Sequence, residues 1–184
     1  MTTFLTADLH LGHANIIGLC KRPFAALREM GRQLIDRWNG VVQPDDVVWA
    51  LGDFAFRNER AAESYLNVLH GTKHLVIGNH DSEGTMTAPG WASIQPYAEI
   101  AETSPKIVMC HYPMRVWSGS HRDSWMLFGH VHGRLKPTRN TLDVGVGADA
   151  NDFTPITLSQ VVERMKRLEN LPCEGRLANK VMSD

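Results

Sequence analysis

The chain has 184 residues, of which 43% are hydrophobic and 21% are charged, and this balance excludes a disordered or fibrous protein. Its formal net charge of -1 creates no basic field, so we expect no dedicated nucleic-acid-binding surface. No apolar run approaches the length of a membrane span and the amino terminus lacks a secretory signal, which together predict a cytoplasmic protein without membrane contact.

Five short apolar runs along the chain predict buried strands, at residues 4–7, 47–51, 75–77, 107–110 and 126–128. Each run ends at polar side chains. In chain order these are Asp8 with His10, Asp53, Asn79, His111, and His130 with His132. Because each strand delivers its polar residue to its exposed carboxyl end, we expect all seven side chains to converge in one place.

Segments with apolar residues at helical spacing alternate with these strands, at residues 25–38, 59–69 and 157–168. The alternation indicates an α/β fold in one domain over residues 1–170. Residues 85–105 contain Pro89, Gly90, Pro96 and Pro105, which predicts a loop-rich excursion. Residues 171–184 are predicted to be a loosely ordered tail.

The three cysteines, Cys20, Cys110 and Cys173, lie far apart in the chain. An odd number at such spacing argues against a disulfide framework and suits a reducing compartment. Cys110 follows three apolar residues and is predicted to be a buried core thiol.

The seven polar residues have the composition of a two-metal hydrolytic site. Two divalent ions about 3.5–4 Å apart need a carboxylate that bridges them, and Asp53, which follows Gly52 at a strand end, is the natural bridge. Side chains two apart in an extended chain point to the same side, so Asp8 with His10, and His130 with His132, can each reach one cavity. Four imidazoles, two carboxylates and one amide oxygen suit Mn, Fe, Zn, Ni or Co better than Mg or Ca.

The motifs occur in a fixed order: Asp8-x-His10, Gly52-Asp53, Gly78-Asn79-His80-Asp81, His111 and Gly129-His130-x-His132. In this order they resemble the calcineurin-like metallophosphoesterase superfamily, over residue 4 to about residue 148. The opening residues 8–13, with Arg22-Pro23-Phe24, further resemble a small bacterial and phage branch of that superfamily. The resemblance implies a four-layer αββα sandwich, in which two stacked mixed sheets are flanked by helices.

The resemblance also implies a role for each site residue. The first ion would be held by Asp8, His10, Asp53 and His132, and the second by Asp53, Asn79, His111 and His130. His80 would stay unliganded, stabilise phosphoryl charge and protonate the leaving oxygen, with Asp81 orienting it. In many members of the superfamily, polar residues follow the Gly-Asp pair. Here Phe54-Ala55-Phe56 follows it, which predicts a more apolar rim around the metal site.

Several residues near the motifs keep two interpretations. His13 is predicted either to contact substrate or to cap the short segment that follows it. Arg22 could grip a second phosphate or be a solvated residue before Pro23. Residues 112–117, with Tyr112 and Trp117 at the two ends, could stack a nucleobase or simply bury Trp117 in a turn.

The sequence therefore predicts a metal-dependent phosphoesterase, with manganese among its candidate metals, in which a metal-bridging hydroxide attacks phosphorus at a dinuclear site. Few cationic residues lie near the motifs, which favours a phosphodiester such as a nucleotide over a dianionic monoester. A phosphomonoesterase and a non-catalytic metal-binding scaffold stay open as alternatives, and the sequence does not indicate an oligomeric state.

Overall fold

The computed structural model of the protein describes residues 1–56, 62–145 and 151–168. The predicted tail at 171–184, Cys173 and the first residues of the helix predicted at 59–69 lie outside these residues. Within them the chain forms two mixed β-sheets with flanking helices, as the predicted fold class requires.

The first sheet has five strands in the order β4-β3-β2-β1-β9. They are β1 (Thr3–Thr6), β2 (Val47–Ala50), β3 (Thr72–Val76), β4 (Trp91–Gln95) and β9 (Ile156–Thr157). Strands β1 to β4 are parallel neighbours, with Thr6 paired to Ala50 and Ala50 paired to Leu75, and β9 runs antiparallel to β1. Because β1, β2 and β3 are in register, their carboxyl ends lie side by side at one edge of the sheet.

The second sheet has four strands in the order β5-β6-β7-β8. They are β5 (Ala98–Ile100), β6 (Ile107–Met109), β7 (Trp125–Phe128) and β8 (Thr141–Asp143). Strands β6, β7 and β8 are parallel and β5 is antiparallel to β6. The two central strands, β6 and β7, are the ones that lead to the predicted ligands His111, His130 and His132.

Alternating side chains of the first sheet enter two different cores. Phe4 and Val48 pack with helical residues such as Met30. Leu5, next to Phe4, instead packs with residues of the second sheet such as Leu127. A sheet that is buried on both faces gives continuous apolar runs rather than a polar–apolar alternation. This is why the strands were visible in the sequence as uninterrupted hydrophobic segments.

The described helices are α1 (Ala14–Leu19), α2 (Leu27–Val41), α3 (Ala62–Leu66), α4 (Glu83–Met86) and α5 (Leu158–Leu168). Helix α2 buries Met30, Leu34 and Trp38 from one face, and α5 buries Val161 and Met165. Two of the predicted helices, at 25–38 and 157–168, are thus confirmed with small shifts at their ends.

The outer face of the second sheet is covered mainly by loops in the part of the chain that the structure describes. Val108, Cys110, Met126 and Phe128 form its apolar surface, against which Trp117 and three other partly buried side chains pack. Cys110 is 6% exposed, which confirms the predicted buried core position.

The loop-rich excursion predicted at 85–105 is wrong in part, because this segment contains β4 and β5. Both are edge strands, and the burial of β4 alternates between half-buried and exposed residues. Prolines are tolerated next to edge strands, so Pro89 and Pro96 obscured two short elements without preventing them. Among the described residues, no helix is both long and apolar enough to cross a membrane.

Candidate metal centre

The seven predicted ligands come together at the carboxyl ends of β1, β2, β3, β6 and β7, and six of them form two compact groups. In the first group the donor atoms of Asp8, His10 and His132 all lie within 4.8 Å of one another. In the second group the same holds for Asp53, His111 and His130. The family resemblance implies the same two sets with two additions. Asp53 would also belong to the first set, and Asn79 to the second.

The carboxylate of Asp53 belongs to the second group and also faces the first. Its Oδ2 atom is 3.5 Å from His10 Nε2 and also 3.5 Å from His111 Nε2. One oxygen therefore faces one imidazole of each group, which is the placement expected of a bridging ligand. Asn79 reaches the second group, since its Oδ1 is 3.1 Å from His111 Nε2.

Five of the seven predicted ligands have a left-handed backbone conformation. The φ angles are 57° at Asp8, 51° at His10, 54° at Asp53, 69° at His130 and 51° at His132. Non-glycine residues adopt this region at a cost and keep it only where the surrounding structure holds them there. Here the loops hold one another, because both carboxylate oxygens of Asp8 accept the His130 N–H, at 2.9 and 3.0 Å.

Glycines allow these loops to approach each other. A Cβ atom at Gly78 would lie 2.5 Å from Asp53 N and 2.9 Å from Gly52 Cα, and it would also collide with Asp53 Oδ1. A Cβ atom at Gly129 would lie 2.7 Å from Asp8 Oδ2. The obstacles are backbone atoms, the carboxylates of predicted ligands and, at Gly129, the Cβ atom of Ala7, so a side-chain rotation alone cannot make room for a methyl group.

We therefore expect Gly78→Ala to displace Asp53, to lower the free energy of unfolding by roughly 1–3 kcal/mol, and to reduce metal binding. Denaturant unfolding of the metal-free protein and metal analysis would measure the two effects. Gly31→Ala is the matched control. Gly31 lies within α2 with no atom near its Cβ position, so alanine should raise stability by roughly 0.5–1 kcal/mol. Wild-type stability and metal content in Gly78→Ala would contradict the prediction.

Burial keeps the imidazoles of the first group in their neutral form. Burial lowers the pKa of His10 to about 2 and the pKa of His132 to about 4, so both rings are neutral, which is the form that binds metal. His10 Nε2 and His132 Nδ1 are buried without a hydrogen-bond partner. Such orphaned nitrogens are costly unless something else satisfies them, and a cation in the cluster would do so.

The carboxylates of the two groups differ in charge state. Burial raises the pKa of Asp8 to about 7. Burial also acts to raise the pKa of Asp53, but the hydrogen bond and charge of His111 outweigh it and lower the value to about 2. The pKa of His111 is raised because its contact with Asp53 outweighs burial. The central carboxylate is thus charged, and this donor set of imidazoles, carboxylates and an amide fits divalent cations.

His80 lies beside the two groups without belonging to either. Its ring centroid is 5.2 Å from that of His10, and its backbone N–H donates to Asp53 Oδ1 at 2.9 Å. The side chain is half-buried and lines the cleft. This position leaves the His80 imidazole available to a substrate.

Asp81 has a different set of contacts from the predicted one. Its carboxylate accepts three backbone N–H bonds, from Gly78, Asp53 and Phe54, at 2.8, 3.0 and 2.9 Å. None of the hydrogen bonds within the described parts of the chain joins it to the His80 ring. These bonds indicate that Asp81 holds the loop of Asp53 in place. The predicted orientation of His80 by a direct contact with Asp81 is therefore wrong for the described residues.

Arg22 is 4% exposed, which corrects its interpretation as a solvated residue. Its guanidinium donates to Asp8 O at 2.6 Å and to Leu9 O at 2.9 Å. Because the guanidinium binds these carbonyls, it can hold Asp8 in position. The same contacts argue against the predicted role of Arg22 in binding a second phosphate.

His13 occupies the N-cap position of α1, but its side chain makes no capping hydrogen bond, so the capping interpretation is wrong. Its ring faces the site instead, 5.7 Å from the His80 ring between centroids. Substrate contact by His13 stays a prediction.

Asp143 is a buried site residue that sequence analysis missed. Its two oxygens accept the N–H groups of Gly133 and Gly145, both at 2.7 Å, and so anchor the end of the loop that carries His130 and His132. The one sequence feature that could have identified Asp143 is its position at the end of a short strand. A single aspartate at a strand end is too common to be recognised as a site residue.

A cleft of about 550 Å³ opens over the two groups. It is lined by Asp53, Asn79, His80, His130, Val131, His132, Arg134 and Leu135. Arg134 lies two residues after His132 and was also missed, since an arginine next to a glycine has no distinctive pattern.

The aromatic rim differs from its prediction at two positions. Phe54 is fully buried and packs edge-on against Trp91, so it is a core residue. Trp117 is half-buried and its indole donates to Ser124, which supports the turn interpretation of residues 112–117 for this side chain. Tyr112 is 46% exposed, with its ring 4.7 Å from that of His130, and is the aromatic side chain of this segment that lies beside the site.

Comparisons with known proteins identify chains that are similar to this one in sequence or in fold. A family model described as calcineurin-like phosphoesterase matches residues 1–144. An uncharacterized protein of Methanocaldococcus jannaschii is 30% identical over 173 residues, which cover 89% of this chain and 91% of that protein. The Gene 66 protein of Mycobacterium phage L5 is 25% identical, with 97% of this chain and 90% of that protein covered.

Among solved structures, a protein of unknown function from Aquifex aeolicus is similar with a TM-score of 0.68 and 23% identity. The similarity covers 89% of this chain and 98% of that chain, and it shows a shared fold.

Proposed function

Because the chain belongs to the calcineurin-like phosphoesterase family, we propose that it is a hydrolase that binds two divalent metal ions and cleaves phosphodiesters in preference to phosphomonoesters. The observation that carries the two-ion proposal is the position of Asp53 Oδ2, at 3.5 Å from an imidazole of each ligand group. A site for one ion would not need a carboxylate shared between two separate groups.

In this proposal Asp8, His10, Asp53 and His132 hold one ion, and Asp53, Asn79, His111 and His130 hold the other. When bound, the ions supply a deprotonated water for attack on phosphorus and neutralise charge on the phosphoryl oxygens. The mixture of nitrogen and oxygen donors favours Mn, Fe, Zn, Ni or Co as the metal.

His80 is proposed to act on the leaving group. Its ring borders the cleft while its backbone is tied to Asp53, so it is held near the phosphoryl position without being a ligand. A protonated imidazole there stabilises the phosphoryl charge and gives its proton to the departing oxygen. Asp81 supports this arrangement indirectly, because its three backbone hydrogen bonds join the loop of His80 to the loop of Asp53.

The preference for diesters rests on the charge and apolarity of the cleft. Arg134 is the one arginine or lysine among the described residues that line it. A diester monoanion needs less compensating charge than a monoester dianion. Leu135, which is 47% exposed, and Tyr112 present apolar surface that suits an organic group beyond the scissile phosphate, such as a nucleobase.

We expect a greater rate acceleration for bis-p-nitrophenyl phosphate than for p-nitrophenyl phosphate. The measurement is kcat/KM for both substrates at one pH and with one metal, each divided by its uncatalysed rate. A greater acceleration of the monoester would overturn the preference.

A phosphomonoesterase is the second candidate, and the position of Arg134 favours it. Its side chain lines the cleft together with His130 and His132, so the guanidinium adds to the positive potential there. If the enzyme is a phosphomonoesterase, Arg134→Gln should reduce kcat/KM for the monoester more than for the diester.

A further inference from the structure

We infer that His13 is a positioning residue, which fixes the ring of the ligand His10 by accepting its Nδ1–H. The inference rests on the proposed metal binding and assigns His13 a role that differs from substrate contact. It concerns the first ligand group, which contains Asp8, His10 and His132.

The two nitrogens of the His10 ring face different partners. Nδ1 lies 3.3 Å from His13 Nδ1, and Nε2 lies 3.5 Å from Asp53 Oδ2. Nε2 makes no hydrogen bond among the described residues, whereas Nδ1 has its partner in His13. The ring is thus oriented with its unpartnered nitrogen toward the metal-binding carboxylate.

This geometry assigns a tautomer to both rings in the metal-bound protein. His10 can bind a cation through Nε2 only if that nitrogen is bare, so its hydrogen must lie on Nδ1. His13 Nδ1 must then be the acceptor. It follows that His13 carries its own hydrogen on Nε2.

His111, a ligand of the second group, is oriented differently. Its Nδ1 lies 2.8 Å from the backbone oxygen of Leu51. A carbonyl can only accept, so the tautomer of His111 is fixed by the fold alone. An imidazole can donate or accept, so the tautomer of His10 depends on His13, whereas the tautomer of His111 does not depend on another titratable ring.

The His13 ring is held in place for this task. It stacks on Phe56 with a centroid distance of 3.9 Å and an interplanar angle of 10°, and it is 8% exposed. The His13 side chain makes no capping hydrogen bond to α1, so its Nδ1 atom is free to bind His10.

The test is a metal titration of chelator-stripped protein with Zn²⁺ in competition with a chromophoric chelator. His13→Leu removes the acceptor at similar volume and should weaken one of the two sites by about 10–100-fold while leaving the other unchanged. His13→Asn places an amide oxygen near the position of Nδ1 and should restore most of the lost affinity. Equal affinities for wild type and His13→Leu would overturn the inference.

His74→Leu is the matched control. His74 also stacks on an aromatic ring, that of Trp49 at 4.5 Å, and also uses Nδ1 in a hydrogen bond, to Ser93 Oγ at 2.7 Å. It is not a member of either ligand group, so both zinc affinities should match wild type. A wild-type protein that binds no zinc would instead refute the proposed metal binding itself.

A second measurement does not depend on the folding of a variant. Long-range ¹H–¹⁵N correlation spectra of the zinc-loaded wild type report which ring nitrogen of each histidine carries hydrogen. We expect hydrogen on Nδ1 of His10 and on Nε2 of His13. Hydrogen on Nδ1 of His13 would overturn the inference.

Discussion

Asp53→Asn is expected to abolish hydrolysis and to remove most of the bound metal. The carboxylate faces an imidazole of each ligand group, and its pKa of about 2 keeps it charged. An amide of the same shape has no charge to balance two dications. The measurement is metal content per chain after reconstitution of chelator-stripped protein with manganese or zinc, together with kcat/KM.

Asp46→Asn provides the control for the loss of a buried carboxylate. Asp46 is 7% exposed and accepts backbone hydrogen bonds from Thr2 at 2.6 Å and Gln43 at 3.0 Å, but it belongs to neither ligand group. The Asp46→Asn substitution should lower the free energy of unfolding and leave the metal content at the wild-type value. A wild type that never holds close to two ions per chain would refute the dinuclear proposal. An Asp53→Asn protein that keeps both ions would refute the bridging role of Asp53.

His80→Ala is expected to retain both metal ions and to lower kcat by roughly 10²–10⁴, the range for one general acid–base group. The reason is its position outside both ligand groups but on the wall of the cleft. The loss should be larger for a substrate with an alkoxide leaving group than for a p-nitrophenyl ester, because p-nitrophenolate leaves without help from a proton. Parallel measurements of kcat and metal content on both substrates test this.

His121→Ala is the matched control, since His121 lies in an exposed 3₁₀ turn, Ser120–Arg122, away from the cleft. Full activity with both ions present in His80→Ala would show that His80 is not catalytic. A parallel loss of metal would make it a ligand instead.

The strands that lead to the predicted ligands could be recognised in the sequence because they are buried on both faces. Such strands appear as unbroken apolar runs, and the polar residue that ends each run is then conspicuous. Asp8 after β1, Asp53 after β2 and His111 after β6 are all of this kind. Their order along the chain was enough to indicate the family that the family model matches.

Edge strands and buried polar anchors could not be predicted in the same way. The β4 strand is half-exposed, so its residues lack a continuous apolar run. Arg22 and Asp143 each look like ordinary charged residues in the sequence, yet both are buried against backbone groups of the ligand loops. Phe54, by contrast, follows a ligand directly but turns into the core.

The sequence by itself determined the residue types of the site, their order and the strands that deliver them, because local hydrophobic patterning is a property of neighbouring residues. Only the tertiary structure decided which side chains pair across the site. Asp53 faces His10 and His111, which are 43 and 58 positions away in the chain, and His13 meets both His10 and Phe56. These contacts depend on how two sheets and their loops pack together. No local pattern encodes that packing, since it follows from the relative placement of distant strand ends.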